Sequence, residues 1–184
     1  MLEFLANLDT QLFLFFNVTL ANPVTDIIMP IVTNDWFLRV LFAVAIVLLL
    51  IFGSARLRWA VLFSVIVVVL TDQLSAGLLK PMIGRMRPCH VLDGINLLVT
   101  CGGGKSMPSS HAANSFGQAA LFALLFPRWR CWLLIFAALV AMSRVMVGVH
   151  YPFDVLVGAM LGAAVAGIVA FAGMRTPIWR RKRA

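Results

Sequence analysis

The sequence predicts an all-α integral membrane bundle: five transmembrane helices preceded by an N-terminal interfacial helical segment, with six spans as the alternative. Three observations carry this reading. Of the 184 residues, 62% are hydrophobic and 12% charged, with a mean hydropathy of +0.98, whereas a soluble domain carries roughly 25% charged residues. Apolar runs of the length needed to cross roughly 30 Å of hydrocarbon, about 20 residues, recur along the chain. Nothing alternates with the period of two that a barrel strand requires. The net charge of +8 does not point to nucleic acid, because that reading needs a basic face on a soluble fold. Here the charges fall between apolar runs. Composition also excludes a disordered tail and a disulfide-dense secreted module. At this length one bundle uses the whole chain, so residues 1–184 are expected to form one domain.

The elements follow in order. In the first 33 residues, Leu12 and Phe16 bound a strongly apolar run, but Asn7, Asp9, Gln11, Asn17, Asn22, Pro23 and Asp26 interrupt the pattern. That favours an interfacial helix and then a short helix from Pro23 over one span through Phe4 and Ala21. No positive n-region precedes the apolar run, so it does not read as a signal peptide. Spans are expected over residues 36–53, 59–79, 109–126, 131–149 and 152–174. The breaks between them carry charges or turn residues, as at Pro127 and at His150-Tyr151-Pro152. Gly158, Gly162 and Ala166 recur every four residues in the last span, a small-residue ridge that lets another helix approach closely.

Orientation follows from the basic residues. Arg56, Arg58, Arg128, Arg130, Arg175, Arg180, Arg181, Lys182 and Arg183 fall on one side of the five-span arrangement, and none of the seven acids joins them. The positive-inside rule makes that side and the C-terminus cytoplasmic. Residues 179–183 then read as a juxtamembrane anchor on anionic lipid.

The opposite side collects the chemistry. Lys80, Arg85, Arg87 and Pro88 follow the second span, Pro108-Ser109-Ser110-His111 opens the third, and Ser143-Arg144 closes the fourth. His150 and Asp154 straddle the junction to the fifth. Charges at membrane depth are costly and are kept mostly for function or pairing. Lys80, Arg87 and Arg144 converging on one spot would repel each other without an anion between them, and the planar fork of Arg matches phosphate. Asp154, four residues after His150 and near a helix start, is placed to orient that imidazole and stabilise its charged form. The other ring nitrogen is then a nucleophile or base. His111, at the start of the third helix, is placed to give a proton to a leaving oxygen. Together these residues suggest phosphoryl transfer through a phosphohistidine.

These segments resemble the signature of the type 2 phosphatidic acid phosphatases, whose soluble relatives are the vanadium haloperoxidases and bacterial acid phosphatases. The family pattern reads K-x(6)-R-P, then P-S-G-H, then S-R-x(5)-H-x(3)-D. Lys80, Arg87, Pro88, Pro108, Ser109, His111, Ser143, Arg144, His150 and Asp154 match ten of its eleven fixed positions. Ser110 stands where the pattern has Gly. The resemblance implies that Lys80, Arg87, Ser109, the Ser110 amide and Arg144 hold the phosphate oxygens. It implies that His150 attacks phosphorus, Asp154 orients His150, and His111 protonates the leaving group. It also implies that no metal or other cofactor is needed. The sequence agrees, since besides Asp154 only Asp72 lies on an expected span, which leaves no carboxylate cluster for a hard cation.

The expected enzyme is thus a lipid phosphate phosphatase of a bacterial inner membrane, its site facing the periplasm or exterior. Its partners are the bilayer and a lipid substrate, with no nucleic acid and no obligate protein partner. Undecaprenyl diphosphate, phosphatidylglycerol phosphate and the 1-phosphate of lipid A are the candidate substrates. A lipid phosphotransferase using the same site and a non-catalytic phospholipid binder are the alternatives. Asn114, Ser115 and Gln118 on the face of His111, with Thr71, Asp72, Gln73 and Ser75, are expected to make interhelical hydrogen bonds, the alternative being that Asp72 or Gln118 supports the phosphate-binding cations. The loop over residues 89–107 holds Cys89 and Cys101, and an oxidising compartment permits a bond that would fix this loop as a lid.

Overall fold

The computed structural model describes residues 2–180, so most of the basic C-terminal run lies outside the described residues. Helix α1 (Leu2–Leu14) runs on through a π-helical turn at Phe15–Thr19. Helix α2 (Pro23–Val32) starts where the sequence predicts. Asn22 accepts the Val24 and Thr25 N–H groups, the Thr25 hydroxyl answers the Asn22 N–H, and Pro23 fits the first turn, where no N–H is required. The axis bends by 113° between the two. Only jointly are they long and apolar enough to cross a membrane, as a broken or re-entrant element.

Helix α3 (Asp35–Phe52) is capped by Asn34, whose side chain accepts the Phe37 N–H at 2.9 Å. Its side chains, among them Val44, Val47 and Leu48, stay exposed, as suits a helix facing lipid tails. Helix α4 (Ala55–Asp72) continues through a π-helical stretch at Gln73–Leu79 into α5 (Lys80–Ile83), one apolar path of 29 residues. Sequence periodicity predicts a regular helix there, and the widening is a feature it does not encode visibly. Gly84, at φ +69°, ends α5.

Helix α6 (Ser110–Leu125) has 16 residues, shorter than the span expected over 109–126, because Ser109 and Phe126 serve as its caps. Helices α7 (Arg130–Met146), α8 (Pro152–Met174) and α9 (Pro177–Arg180) complete the bundle. At 17 and 23 residues, α7 and α8 agree with the expected fourth and fifth spans apart from a few terminal residues. Among the described residues, α3, the α4–α5 path, α7 with the short turn before it, and α8 each have the length and apolarity of a span. The molecule is a multi-pass helical membrane bundle.

Helix α6 lies at the centre, against α8, α7 and α4. The small-residue ridge permits this. A Cβ at Gly162 would collide with the Ala113 carbonyl, and one at Gly158 with the Ser109 carbonyl. Ala60, Val67, Leu121, Ala166 and Ala170 fill the core beneath. In lipid no hydrophobic drive holds helices together, so close van der Waals contact and hydrogen bonds must do so. Asn114 donates to Asp72 (3.0 Å) and accepts from Thr71 (2.5 Å), and Gln118 donates to the Ser64 carbonyl (3.0 Å), as expected of interhelical bonds.

Candidate active site

The ends of the bundle elements bring the charged segments together. Lys80 opens α5, Arg87 lies in extended backbone beyond Gly84, and Arg144 sits in the last turn of α7. The three lie within Coulomb range of one another. Among the described residues, none of the three forms an ion pair with a carboxylate. Arg87 Nη1 donates to the Val149 carbonyl at 3.3 Å, and Arg144 Nη1 donates to the Thr33 hydroxyl at 2.5 Å. Burial lowers the Arg87 pKa from its ordinary value, with Asp154 opposing.

His150 sits in the turn between α7 and α8. Gly148, at φ +89°, lets the chain reverse, and the Val149 and His150 N–H groups both point at the Arg144 carbonyl at 3.2 Å. His150 is 2% exposed and Asp154 is fully buried. The two approach to 3.4 Å through Nδ1 and Oδ2, close but longer than a well-formed hydrogen bond. Burial, assisted by Arg144 and Arg87 and opposed by Asp154, pulls His150 down to about 3. Its imidazole is therefore neutral, with a lone pair on one ring nitrogen.

Asp154 is held from several directions. Oδ2 accepts the Tyr151 N–H at 2.8 Å and the Ser106 hydroxyl, while Oδ1 accepts Arg85 Nη1 at 2.9 Å. The second arm of Arg85 reaches Asp9 on α1 at 2.7 Å, and its guanidinium stacks 3.9 Å over the Tyr151 ring. Asp9 in turn accepts the Phe153 N–H at 2.8 Å. The first turn of α8 is thus clamped by α1 and by the loop before α6.

His111 occupies the first turn of α6. Its Nε2 lies 3.1 Å from Asp35 Oδ1, on the opening turn of α3. The Ser109 hydroxyl caps α6 through the Ala112 N–H at 3.5 Å, and the Ser109 N–H donates to the Asp154 main-chain carbonyl at 2.9 Å. The Ser110 hydroxyl meets Ser75, from the π-helical stretch, at 3.0 Å. The motif residues Lys80, Arg87, Ser109, Ser110, His111, Arg144, His150 and Asp154 therefore lie at one end of the bundle.

Sequence reasoning gave no role in the site to Arg85, Ser106, Asp9, Thr33 or Asp35. Arg85 and Ser106 occupy unspecified positions beside the motif segments. Asp9, an acid inside an apolar helix, was a visible signal that had no partner in view. In the loop between α5 and α6, Cys89 and Cys101 form a disulfide, the Cα atoms 6.0 Å apart. His90 lies beside it, Nε2 3.4 Å from the Cys101 sulfur. With both sulfurs bonded to each other, this group offers no thiolate to a metal. Met86 and Lys105 pair as an antiparallel bridge, and the Ser106 N–H donates to the Arg85 carbonyl at 2.7 Å.

A family model described as the PAP2 superfamily matches residues 59–176. The chain is 38% identical over 176 residues to the lipid A 4'-phosphatase of Bacteroides thetaiotaomicron, covering 88% of this chain and 75% of that protein. Against the lipid A 1-phosphatase of Rhizobium johnstonii, identity is 45% over 94 residues, covering 49% of this chain and 38% of that protein. The crystal structure of Aquifex aeolicus LpxE matches with a TM-score of 0.68 at 25% identity, covering 88% of this chain and 94% of that one. The PAP2-type phosphatidylglycerolphosphate phosphatase of Bacillus subtilis shares the fold, with a TM-score of 0.73 at 24% identity over 94% of this chain and 88% of that one. The chain therefore belongs to the PAP2 superfamily, as an integral membrane lipid phosphatase.

Proposed function

We propose that this phosphatase removes a terminal phosphate from a membrane lipid through a phosphohistidine on His150. The observation that carries the reading is the meeting of Lys80, Arg87 and Arg144 with a neutral, buried His150 at one end of the bundle. Cations without carboxylate partners are what a phosphate needs, and a neutral imidazole is what attack on phosphorus needs.

In this mechanism His150 Nε2 forms a bond to phosphorus as the bond to the leaving oxygen breaks. The bonding pair stays on that oxygen, and His111 gives it a proton. Lys80, Arg87, Arg144 and the main chain at Ser109 and Ser110 hold the phosphate oxygens as charge builds on them. Asp154 stabilises the positive charge that develops on the His150 ring. Water then attacks phosphorus, His111 takes its proton, and His150 leaves with the pair, releasing phosphate. The donor set supports a metal-independent route, because Asp154 is saturated by Arg85, Ser106 and Tyr151. A hard cation would also be repelled by the three basic side chains.

The site faces the periplasm or exterior in this reading, and the C-terminus is cytoplasmic. The acid-free ends bearing Arg56, Arg128 and Arg175, opposite the site, support it. Lipid A phosphates, phosphatidylglycerol phosphate and undecaprenyl diphosphate are the substrates to compare.

The test is phosphate release from those lipids in detergent with chelator present, wild type beside His150→Ala. A radiolabelled substrate, quenched in alkali where phosphohistidine survives, should leave label on wild type and none on the variant. Release that persists in His150→Ala would overturn the mechanism.

A further inference from the structure

The corner between α2 and α3 is seated on the site, outside the residues the family model matches. Thr33 is buried and its hydroxyl accepts from Arg144 at 2.5 Å. Two residues on, Asp35 places Oδ1 3.1 Å from His111 Nε2 while its side chain stays 67% exposed. Asp35 also lies within Coulomb range of Arg144. One carboxylate therefore stands beside the proposed proton donor, open to whatever approaches that donor.

We infer that Asp35 selects the leaving group, admitting lipid phosphomonoesters whose leaving group is a neutral hydroxyl and disfavouring lipid diphosphates. This inference rests on the phosphatase reading above. The leaving oxygen must come within hydrogen-bond reach of a His111 ring nitrogen, so it enters beside the Asp35 carboxylate or displaces it. A phosphomonoester cleaves to phosphoryl-His150 and an alkoxide oxygen that takes the His111 proton. The product is R–OH, which is neutral and can donate its own hydrogen to Asp35. A diphosphate cleaves to phosphoryl-His150 and a lipid monophosphate, whose anionic oxygens are bonded to the departing oxygen's own phosphorus. Those charges fall a few ångströms from Asp35 in a partly desolvated place, where like charges repel measurably even near water. A charge further away in the leaving group, as across the glycerol of phosphatidylglycerol phosphate, is spared most of this.

The experiment compares kcat/KM for lipid A bearing a single phosphate and for undecaprenyl diphosphate, in the same micelles, for wild type and Asp35→Asn. Wild type should prefer the monoester, and the isosteric amide should narrow that preference by about tenfold, chiefly through faster diphosphate cleavage. A ratio unchanged within about twofold, including equal loss on both lipids, overturns the inference while leaving the phosphatase reading intact. Wild type inert on both lipids and on phosphatidylglycerol phosphate would instead overturn the phosphatase reading, and this inference with it. A measurement that needs no variant runs alongside. Raising salt from about 50 to about 500 mM screens the repulsion at an exposed carboxylate, so the wild-type preference should shrink. A preference that is flat or rises with salt counts against Asp35.

Discussion

Arg87 Nη1 lies 3.4 Å from His150 Nε2. An arginine can only donate, so the nitrogen it faces carries the lone pair, and the ring proton sits on Nδ1, towards Asp154. One cation thus sets the tautomer that the proposed attack requires, and it stands where a phosphate oxygen would also find it. Arg87→Lys keeps the charge but loses the fork. We expect kcat/KM to fall at least about tenfold, the size of one charge-assisted hydrogen bond. Kinetics on a lipid phosphate check this, and an unchanged rate would separate Arg87 from the chemistry.

The second prediction concerns pH. His150 is held near 3, below its ordinary value of 6.5, first by burial and then by Arg144 and Arg87. The unfolded chain therefore binds a proton at this residue before the folded chain does. The sign follows: the stability contributed by a neutral His150 is complete above about pH 6.5 and is lost progressively towards pH 3. Melting temperature in detergent should decline as pH falls through that window, and the decline should be shallower in His150→Gln. A ring resonance of His150 that titrates near pH 6–7 in the ligand-free enzyme would contradict this.

Arg85 joins Asp9 to Asp154, two acids buried within the bundle. Removing one partner of a buried pair typically costs about 3–5 kcal/mol, because a charge is left behind uncompensated. Arg85→Met strands two carboxylates, one of them beside His150, and should lower both melting temperature and kcat. Asp9→Asn keeps the Arg85–Asp154 contact and an acceptor for the Phe153 N–H, so it should cost less on both measures. Equal effects from the two substitutions would show that the clamp acts through α1 packing and not through the charge on Asp154.

The contrast between these residues explains what was legible in the sequence. Lys80, Arg87, His111, Arg144, His150 and Asp154 stand at fixed intervals at the ends of apolar runs, so spacing and span topology alone bring them to one membrane face. The start of α2 was equally legible, because Asn22 and Pro23 carry a local capping signal. Asp9, Thr33 and Asp35 belong to N-terminal elements whose placement depends on a 113° bend, and no local pattern encodes which distant cation each will meet. The π-helical stretch before Lys80 has the same apolar periodicity as the helix it interrupts. The Cys89–Cys101 pairing was open in the sequence, which permitted a bond without fixing it.

Two glycines on α8 give a paired test of packing. A Cβ at Gly162 would strike the Ala113 carbonyl and the Gly117 nitrogen, all backbone, whereas one at Gly167 meets nothing within 4 Å. Overpacking against immovable atoms typically costs about 1–3 kcal/mol, so Gly162→Ala should lower the melting temperature and, through α6, displace His111. Gly167→Ala should be neutral or stabilising by about 0.5–1 kcal/mol, since Ala suits a helix interior better. Similar losses at both positions would mean that α6 and α8 are not in this contact.

The disulfide between Cys89 and Cys101 closes a short loop, 12 residues apart in sequence, and a loop of that size is worth about 3 kcal/mol in chain entropy. Its consequence for the site is indirect. The same segment returns through the Met86–Lys105 bridge to Ser106, whose hydroxyl meets Asp154 and whose N–H meets the Arg85 carbonyl. Freeing the loop therefore loosens two contacts that hold the His150–Asp154 pair, while Lys80 and Arg144 stay where their helices put them and Arg87 keeps its bond to the Val149 carbonyl. Replacing both cysteines by serine should lower the melting temperature and reduce kcat more than it raises KM. Alkylation of denatured, non-reduced protein should label Cys131 and leave Cys89 and Cys101 protected until a reductant is added. Labelling of all three without reductant would remove the bond, and with it the reason to expect a kinetic effect.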